Sequence, residues 1–372
     1  MSGEHAAAAG GIVFTDCEFT SSVKAAVSAG ASASAGGGSA HAHGHAHAHK
    51  RWEVVISGKR IKTIDVHAHC IVPDAAKVIN HPLEAPGLLW SNVGDRLAHM
   101  DKSGVDVEAL SINPYWYRAD RDHAEQLIKV QNEQLAGFCA GHPDRFVGFA
   151  TAALQFPDLA AQQIEHAVKH LGFKGVGVAG SCAGEDLANP KFHPFWQKCE
   201  ELGVLVFMHP LGTRELEPSG RLGGNGLLTN TIGNPLETTI ALSHLIFEGT
   251  LDRFPGLKIC AAHGAGFLAS YANRSDAVLR VFPERVGTPP KLKPTQYLRN
   301  GQIIADTIMF TDEGIRHLIA EMGVENVVMG TDYPFPWNTA PVEHIMSVHG
   351  LSDADKIAIL GGTAAKLLGI AE

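Results

Sequence analysis

The stretch Ile64-Asp65-Val66-His67-Ala68-His69 opens the regular part of this chain. With Lys62 and Thr63 before it, its β-branched residues predict a strand over 62–67. Working outward, further short apolar runs predict strands at 107–112, 146–151, 175–178, 204–209, 258–263, 303–306 and 327–331. Between them lie helix-period segments at 93–103, 123–141, 159–171, 194–202, 236–247, 266–281 and 314–322, and two more at 342–348 and 353–368 close the chain. Gly104, Gly172, Gly203 and Gly323 follow helical patterns directly, as helix-ending glycines do. One helix between successive strands implies parallel pairing by right-handed crossover. Eight such units predict an α/β fold, a (β/α)8 TIM barrel, for residues 51–372. The competing doubly wound sheet lacks a G-x-G-x-x-G after an early strand.

Residues 1–50 have another character. They are a low-complexity, Ala/Gly/His-rich extension ending in His41-Ala42-His43-Gly44-His45-Ala46-His47-Ala48-His49. Such a composition buries too little apolar surface to offset its ordering entropy, which predicts a flexible tail with at most a short strand near 12–14. Alternating imidazoles also bind borderline metals, so a metal-scavenging tail is the second reading.

Composition excludes several classes. The 372 residues carry a net charge of −9, unfavourable for wrapping nucleic acid or an anionic membrane surface. No run approaches the roughly 20 apolar residues of a membrane helix. The six cysteines are scattered without a C-x-x-C pair, against a zinc ribbon or disulfide framework and in favour of a reducing, cytoplasmic compartment. Histidine is over-supplied, at 21.

In a barrel of this kind the reacting groups sit at the C-terminal ends of the strands. The first strand ends at His67 and His69, the fifth at His209, the sixth at His263 and the eighth at Asp332. A lone histidine at a strand end is ordinarily a hydrogen-bonded loop or core residue, and a lone aspartate a turn former. Together on one rim they suit a different purpose. Residues i and i+2 of a strand share a face, so His67 and His69 reach one ion, and several neutral imidazoles with one carboxylate suit Zn2+ or another divalent transition metal.

From about Ile61 to Gly369 the chain resembles the amidohydrolase superfamily, and within it the branch that includes aminocarboxymuconate-semialdehyde decarboxylase and related hydroxyarylic acid decarboxylases. The matching stretches are Ile64 to His69, Arg96 to Asp101 with Gly104-Val105, Ala109-Leu110-Ser111, Arg145 to Gly148, Leu171 to Val176, His209-Pro210, Pro235 to Thr239, Arg253 to Pro255 through His263-Gly264, and Gly330 to Pro336. The resemblance implies metal binding by His67, His69, His209 and Asp332, with zinc favoured and manganese the alternative. It makes His263, with Asp332 beside it, the proton-handling pair. It also makes Arg274 the grip on a substrate carboxylate across a homodimer or higher homo-oligomer. The implied activity is non-oxidative decarboxylation of a small hydroxylated aromatic, heteroaromatic or muconate-like carboxylate. Hydrolysis or hydration by the same activated water is the alternative.

Two departures bear on the substrate. No Lys or Arg lies between Lys77 and Arg96, where the muconate decarboxylases carry an arginine for a second carboxylate. The segment around His81, Pro82 and Trp90 also differs, and Leu211-Gly212-Thr213-Arg214 lacks the family tryptophan. Both suggest an acid with one carboxylate or an aromatic ring, on which Tyr115 and Trp116, just after the second strand, are placed to stack.

Overall fold

The computed structural model describes residues 50–81, 93–213 and 219–371. The histidine tract of the extension, Pro82, Trp90 and Arg214 lie outside the described residues.

Eight parallel strands form one sheet in chain order: β1 (Ile64–His69), β2 (Val107–Ser111), β3 (Phe146–Ala150), β4 (Gly175–Val178), β5 (Leu205–Met208), β6 (Lys258–Ala261), β7 (Ile303–Asp306) and β8 (Val327–Val328). The ladder joins each strand to its chain neighbour. Bonds between the two ends close the cylinder: Val66 N donates to Met329 O at 3.0 Å, Asp332 N to His67 O at 2.8 Å and His69 N to Tyr333 O at 2.7 Å. The expected TIM barrel is the observed fold. Among the described residues a long helix follows each of the first seven strands: α1 (Val93–Ser103), α2 (Arg121–Gly141), α3 (Pro157–Leu171), α4 (His193–Leu202), α5 (Asn234–Phe247), α6 (Leu268–Val281) and α7 (Asp312–Met322).

Strand alternation sorts the core into two layers. Ile64, Val66, Val107, Ala109, Phe149, Leu205, Phe207, Cys260, Ile304 and Val328 fill the barrel interior, joined at its N-terminal end by Ala364, Ala365 and Leu368. Their strand neighbours, among them Val176, Val206, Met208, Ile259, Ile303 and Val327, face the helices. The segment before Ala364 packs directly beneath β1. A Cβ on Gly361 would stand 2.0 Å from Lys62 O, so only glycine fits there.

The strand boundaries differ from expectation at both ends of the sheet. The first strand begins two residues later than its pattern suggests. The last stops at Val328, because the chain leaves the ladder and Asp332 adopts φ 62°.

Candidate metal centre

Local backbone irregularities aim the polar side chains inward. On β1 the pairing register slips between Asp65 and Ala68. Ile64 and Val66 belong to the interior, Ala68 to the outer layer, and the slip turns His67 and His69 inward together. His67 accordingly lies against the interior ring of Phe207, centroids 4.9 Å apart. On β5, Leu205 and Phe207 point inward, and His209 continues that parity. His263 breaks the parity of β6: at φ 57°, ψ 49° it sits in a left-handed turn that redirects its side chain.

The rings converge on one point. His67 Nε2 lies 2.9 Å from His69 Nε2 and 3.2 Å from Asp332 Oδ1, and His69 Nε2 is 2.9 Å from the same oxygen. The His209 ring centroid is 4.6 Å from that of His69 and 5.0 Å from that of His67. One ligand-type atom from each of His67, His209, His263 and Asp332 lies within 4.8 Å of the others. His263 Nε2 stands off, 3.6 Å from Asp332 Oδ2, and its side chain is 16% exposed where the other four are buried.

The outer nitrogens explain which inner ones are free. His67 Nδ1 lies 2.6 Å from Asp306 Oδ2, and a carboxylate only accepts, so Nδ1 carries hydrogen and Nε2 faces the centre. Ser111 Oγ donates its hydrogen to Ala68 O at 3.1 Å. It is therefore the acceptor for His69 Nδ1, also at 3.1 Å, and again Nε2 is left inward.

Electrostatics fit a cation. Burial opposes charge on His67, but Asp332 and Asp306 outweigh it and lift the imidazole to about 10. Burial holds His69 down at about 4. Burial, then the neighbouring imidazoles, holds His209 well below its ordinary value. Burial also opposes charge on Asp332, yet His67 and the other imidazoles keep its carboxyl well below the usual range. The buried Asp332 Oδ1 has no aligned hydrogen-bond donor among the described residues. His69 and His209 are neutral, and once a cation displaces the second proton of His67 the inward nitrogens and the ionised carboxylate oxygen lie about 3 Å apart, close to the ligand–ligand spacing around a zinc-sized ion. The donor set fits a divalent ion.

Further buried polar groups brace the site. Asp65 accepts from His67 N at 2.9 Å, Thr331 N at 3.1 Å and Thr331 Oγ1 at 2.5 Å, tying β1 to the segment that bears Asp332. Arg96 pairs with Glu108, donates to His69 O at 3.1 Å and lies 4.5 Å over the Tyr333 ring. Sequence reasoning missed Asp306, although it ends the expected seventh strand with the inward parity of Ile304.

The other expected residues fall in different places. Tyr115 is half-buried, stacked on His81 with centroids 4.6 Å apart. Trp116 corrects the expectation of a stacking platform. It is fully buried, its indole N–H donating to Ala152 O at 2.9 Å, and it has no face open to a substrate. Arg274 is exposed on α6.

The amidohydrolase family model matches residues 64–370. The chain belongs to the amidohydrolase family. A 2-amino-3-carboxymuconate-6-semialdehyde decarboxylase from Dictyostelium discoideum is 30% identical over 278 residues, 74% of this chain and 76% of that protein. The structure of 5-carboxyvanillate decarboxylase from Sphingomonas paucimobilis superposes with a TM-score of 0.76 at 26% identity, covering 84% of this chain and all of that one. A dihydroxybenzoic acid decarboxylase from Polaromonas sp. JS666, solved with bound manganese and 2-nitroresorcinol, gives a TM-score of 0.71 at 25% identity, covering 83% of this chain and 97% of that one. These relatives of the amidohydrolase are carbon–carbon lyases, and this chain is an enzyme of that group.

Proposed function

We propose that this amidohydrolase is a divalent-metal-dependent, non-oxidative decarboxylase of a hydroxylated aromatic, heteroaromatic or muconate-like carboxylic acid. The observation that carries the reading is the convergence of His67 Nε2, His69 Nε2 and Asp332 Oδ1 within 3.2 Å, with His209 beside them and His263 standing off. His67, His69, His209 and Asp332 hold the ion. Zn2+ suits three imidazoles and a carboxylate, and Mn2+, named with the Polaromonas structure, is the alternative. Such an ion supplies a Lewis acid for a substrate oxygen beside the scissile carboxylate.

His263 keeps contact with solvent and offers an imidazole for proton transfer. It delivers a proton to the carbon that bears the carboxylate. The electrons of the breaking carbon–carbon bond return to the substrate as CO2 leaves. Asp332 orients the imidazole through its second oxygen. Tyr115 borders the substrate space, and Arg274 grips the carboxylate from a second subunit.

A homodimer is supported by α6 itself. Tyr271, Val278 and Val281, on the helix that carries Arg274, and Phe282 just after it are exposed apolar residues. A cytoplasmic setting is supported by Cys70, Cys139, Cys182, Cys199 and Cys260, all free thiols. No described helix is long and apolar enough to cross a membrane.

The test is metal analysis of the purified protein followed by CO2 release from a panel of hydroxybenzoates, hydroxypicolinates and muconate semialdehydes. Metal near one ion per chain and CO2 from at least one acid are expected. Turnover of lactones or amides, with no CO2 from any acid, overturns the lyase in favour of a hydrolase.

A further inference from the structure

Asp306 ends β7 fully buried, and four donors meet its two oxygens. Oδ2 accepts from His67 Nδ1 at 2.6 Å and from the His263 amide at 3.0 Å. Oδ1 accepts from the Gly264 amide at 2.9 Å and from the Ile308 amide at 3.0 Å. We propose that Asp306 is a positioning residue that sets two members of the site at once, committing His67 to the tautomer whose Nε2 faces the centre and pinning the turn that carries His263. The inference rests on the metal-centre reading above and adds to it a single carboxylate shared by a metal ligand and the proton-transfer histidine.

The geometry carries both halves. An imidazole offers an inward lone pair only if its other nitrogen holds the hydrogen, and an acceptor-only partner at 2.6 Å enforces that state. The second half concerns the backbone. His263 is left-handed at φ 57°, ψ 49°, and Gly264 follows at φ 63°, ψ 28°. That conformation is unfavourable for a residue with a Cβ and persists where surrounding bonds impose it. Here the amides of both residues end on the Asp306 carboxylate. Because Oδ2 serves the His67 ring and the His263 amide together, a shift of this one side chain moves both groups.

Asp306→Asn separates positioning from mere loop support. Asparagine is nearly isosteric and keeps an acceptor for the Gly264 and Ile308 amides. On the other side it presents N–H to His67 Nδ1, which favours the tautomer with hydrogen on Nε2. Chelator competition on the metal-free variant should show Zn2+ affinity reduced about 10–100-fold. At saturating Zn2+, kcat should fall more than KM rises. A loop-support role alone would lower the melting temperature and leave Zn2+ affinity of the folded protein unchanged, and that result overturns the proposal. His67→Gln is the companion variant. If it binds Zn2+ like wild type, the metal-centre reading fails and this inference with it. If it loses Zn2+ while Asp306→Asn does not, the centre stands and only the positioning role is refuted. Should Asp306→Asn fail to fold, the 15N histidine spectrum of Zn2+-loaded wild type decides, with the His67 signals assigned by their loss in His67→Gln. Hydrogen on Nδ1 of His67 is expected, and hydrogen on Nε2 refutes the proposal.

Discussion

Replacing Gly330 with alanine adds one methyl group at the point where the segment after β8 passes behind the site. That Cβ would stand 2.9 Å from His67 Cβ, 2.9 Å from Asp306 Cβ and 3.4 Å from Asp306 Cγ. Carbon atoms rest at roughly 3.5–4.0 Å, so the two Cβ neighbours must retreat by about 0.6–1.1 Å. The two closest contacts are Cβ atoms fixed to strand backbone, so no rotamer change relieves them. The group under strain is the 2.6 Å bond from His67 Nδ1 to Asp306 Oδ2, and a protein hydrogen bond is largely spent beyond about 3.2 Å. Overpacking of this kind costs about 1–3 kcal/mol of stability. Loosening the partner of a metal-ligating histidine costs about 10–100-fold in metal affinity. Gly137→Ala is the control. Gly137 lies inside α2, and nothing comes within 4 Å of the point where an added methyl would stand. Alanine there should stabilise by about 0.5–1 kcal/mol and leave metal binding alone. Calorimetric melting and chelator competition with Zn2+ read the two effects separately. A Gly330→Ala protein with wild-type melting temperature and wild-type Zn2+ affinity would refute the steric account and the dependence of the site on the His67–Asp306 bond.

Asp332→Ala should remove both metal and turnover, since it deletes the one carboxylate of the proposed ligand set; elemental analysis showing full metal content would refute that assignment. His263→Ala should keep its metal and lose about 10²–10⁴-fold in kcat, the usual share of a general acid–base group. Mixing inactive His263→Ala and Arg274→Ala proteins should restore part of the activity if the arginine acts across subunits, and no recovery after verified subunit exchange would confine Arg274 to its own chain. The joint contribution of His69 and His67 to the stability of the metal-free protein should be greatest near pH 6.5. Below that, an unfolded chain protonates a histidine that folded His69 leaves neutral down to about 4, so stability falls as pH drops through that window. Above it, the contribution of His67, held at about 10, is lost as pH rises toward that value. Melting temperatures at pH 5, 6.5 and 9 check both arms, and a flat profile contradicts them.

Much of the barrel was legible because strand and helix periods alternate cleanly and glycines mark the helix ends. Gly172 and Gly203 do sit in left-handed cap positions after α3 and α4. The rim histidines were legible as strand ends, but their aim was not. Strict alternation from the interior Ile64 and Val66 would have turned His67 away, and only the register slip of β1 brings it inward. A slip of that kind leaves no mark in composition. His263 likewise points where it does because of a non-glycine left-handed turn, which its Ala-Ala-His-Gly context does not announce. Trp116 was misread because an aromatic cluster after a strand looks the same whether it lines a cavity or fills the core. Its indole N–H finds Ala152 O, and that long-range partner decides the matter. Asp306 was the recoverable omission, since its inward parity follows from Ile304.

The seam of the cylinder runs through the site. β1 and the segment after β8 meet through Val66, His67, His69, Met329, Asp332 and Tyr333, and the same two segments supply His67, His69 and Asp332. An ion held by those three side chains is therefore a cross-link between the beginning and the end of the barrel, bridging positions more than 260 residues apart. Occupancy then acts as a fastener: amide hydrogens along this join should exchange slowly in loaded protein and faster once a chelator has stripped it, while those deep in β4 and β5 stay protected throughout.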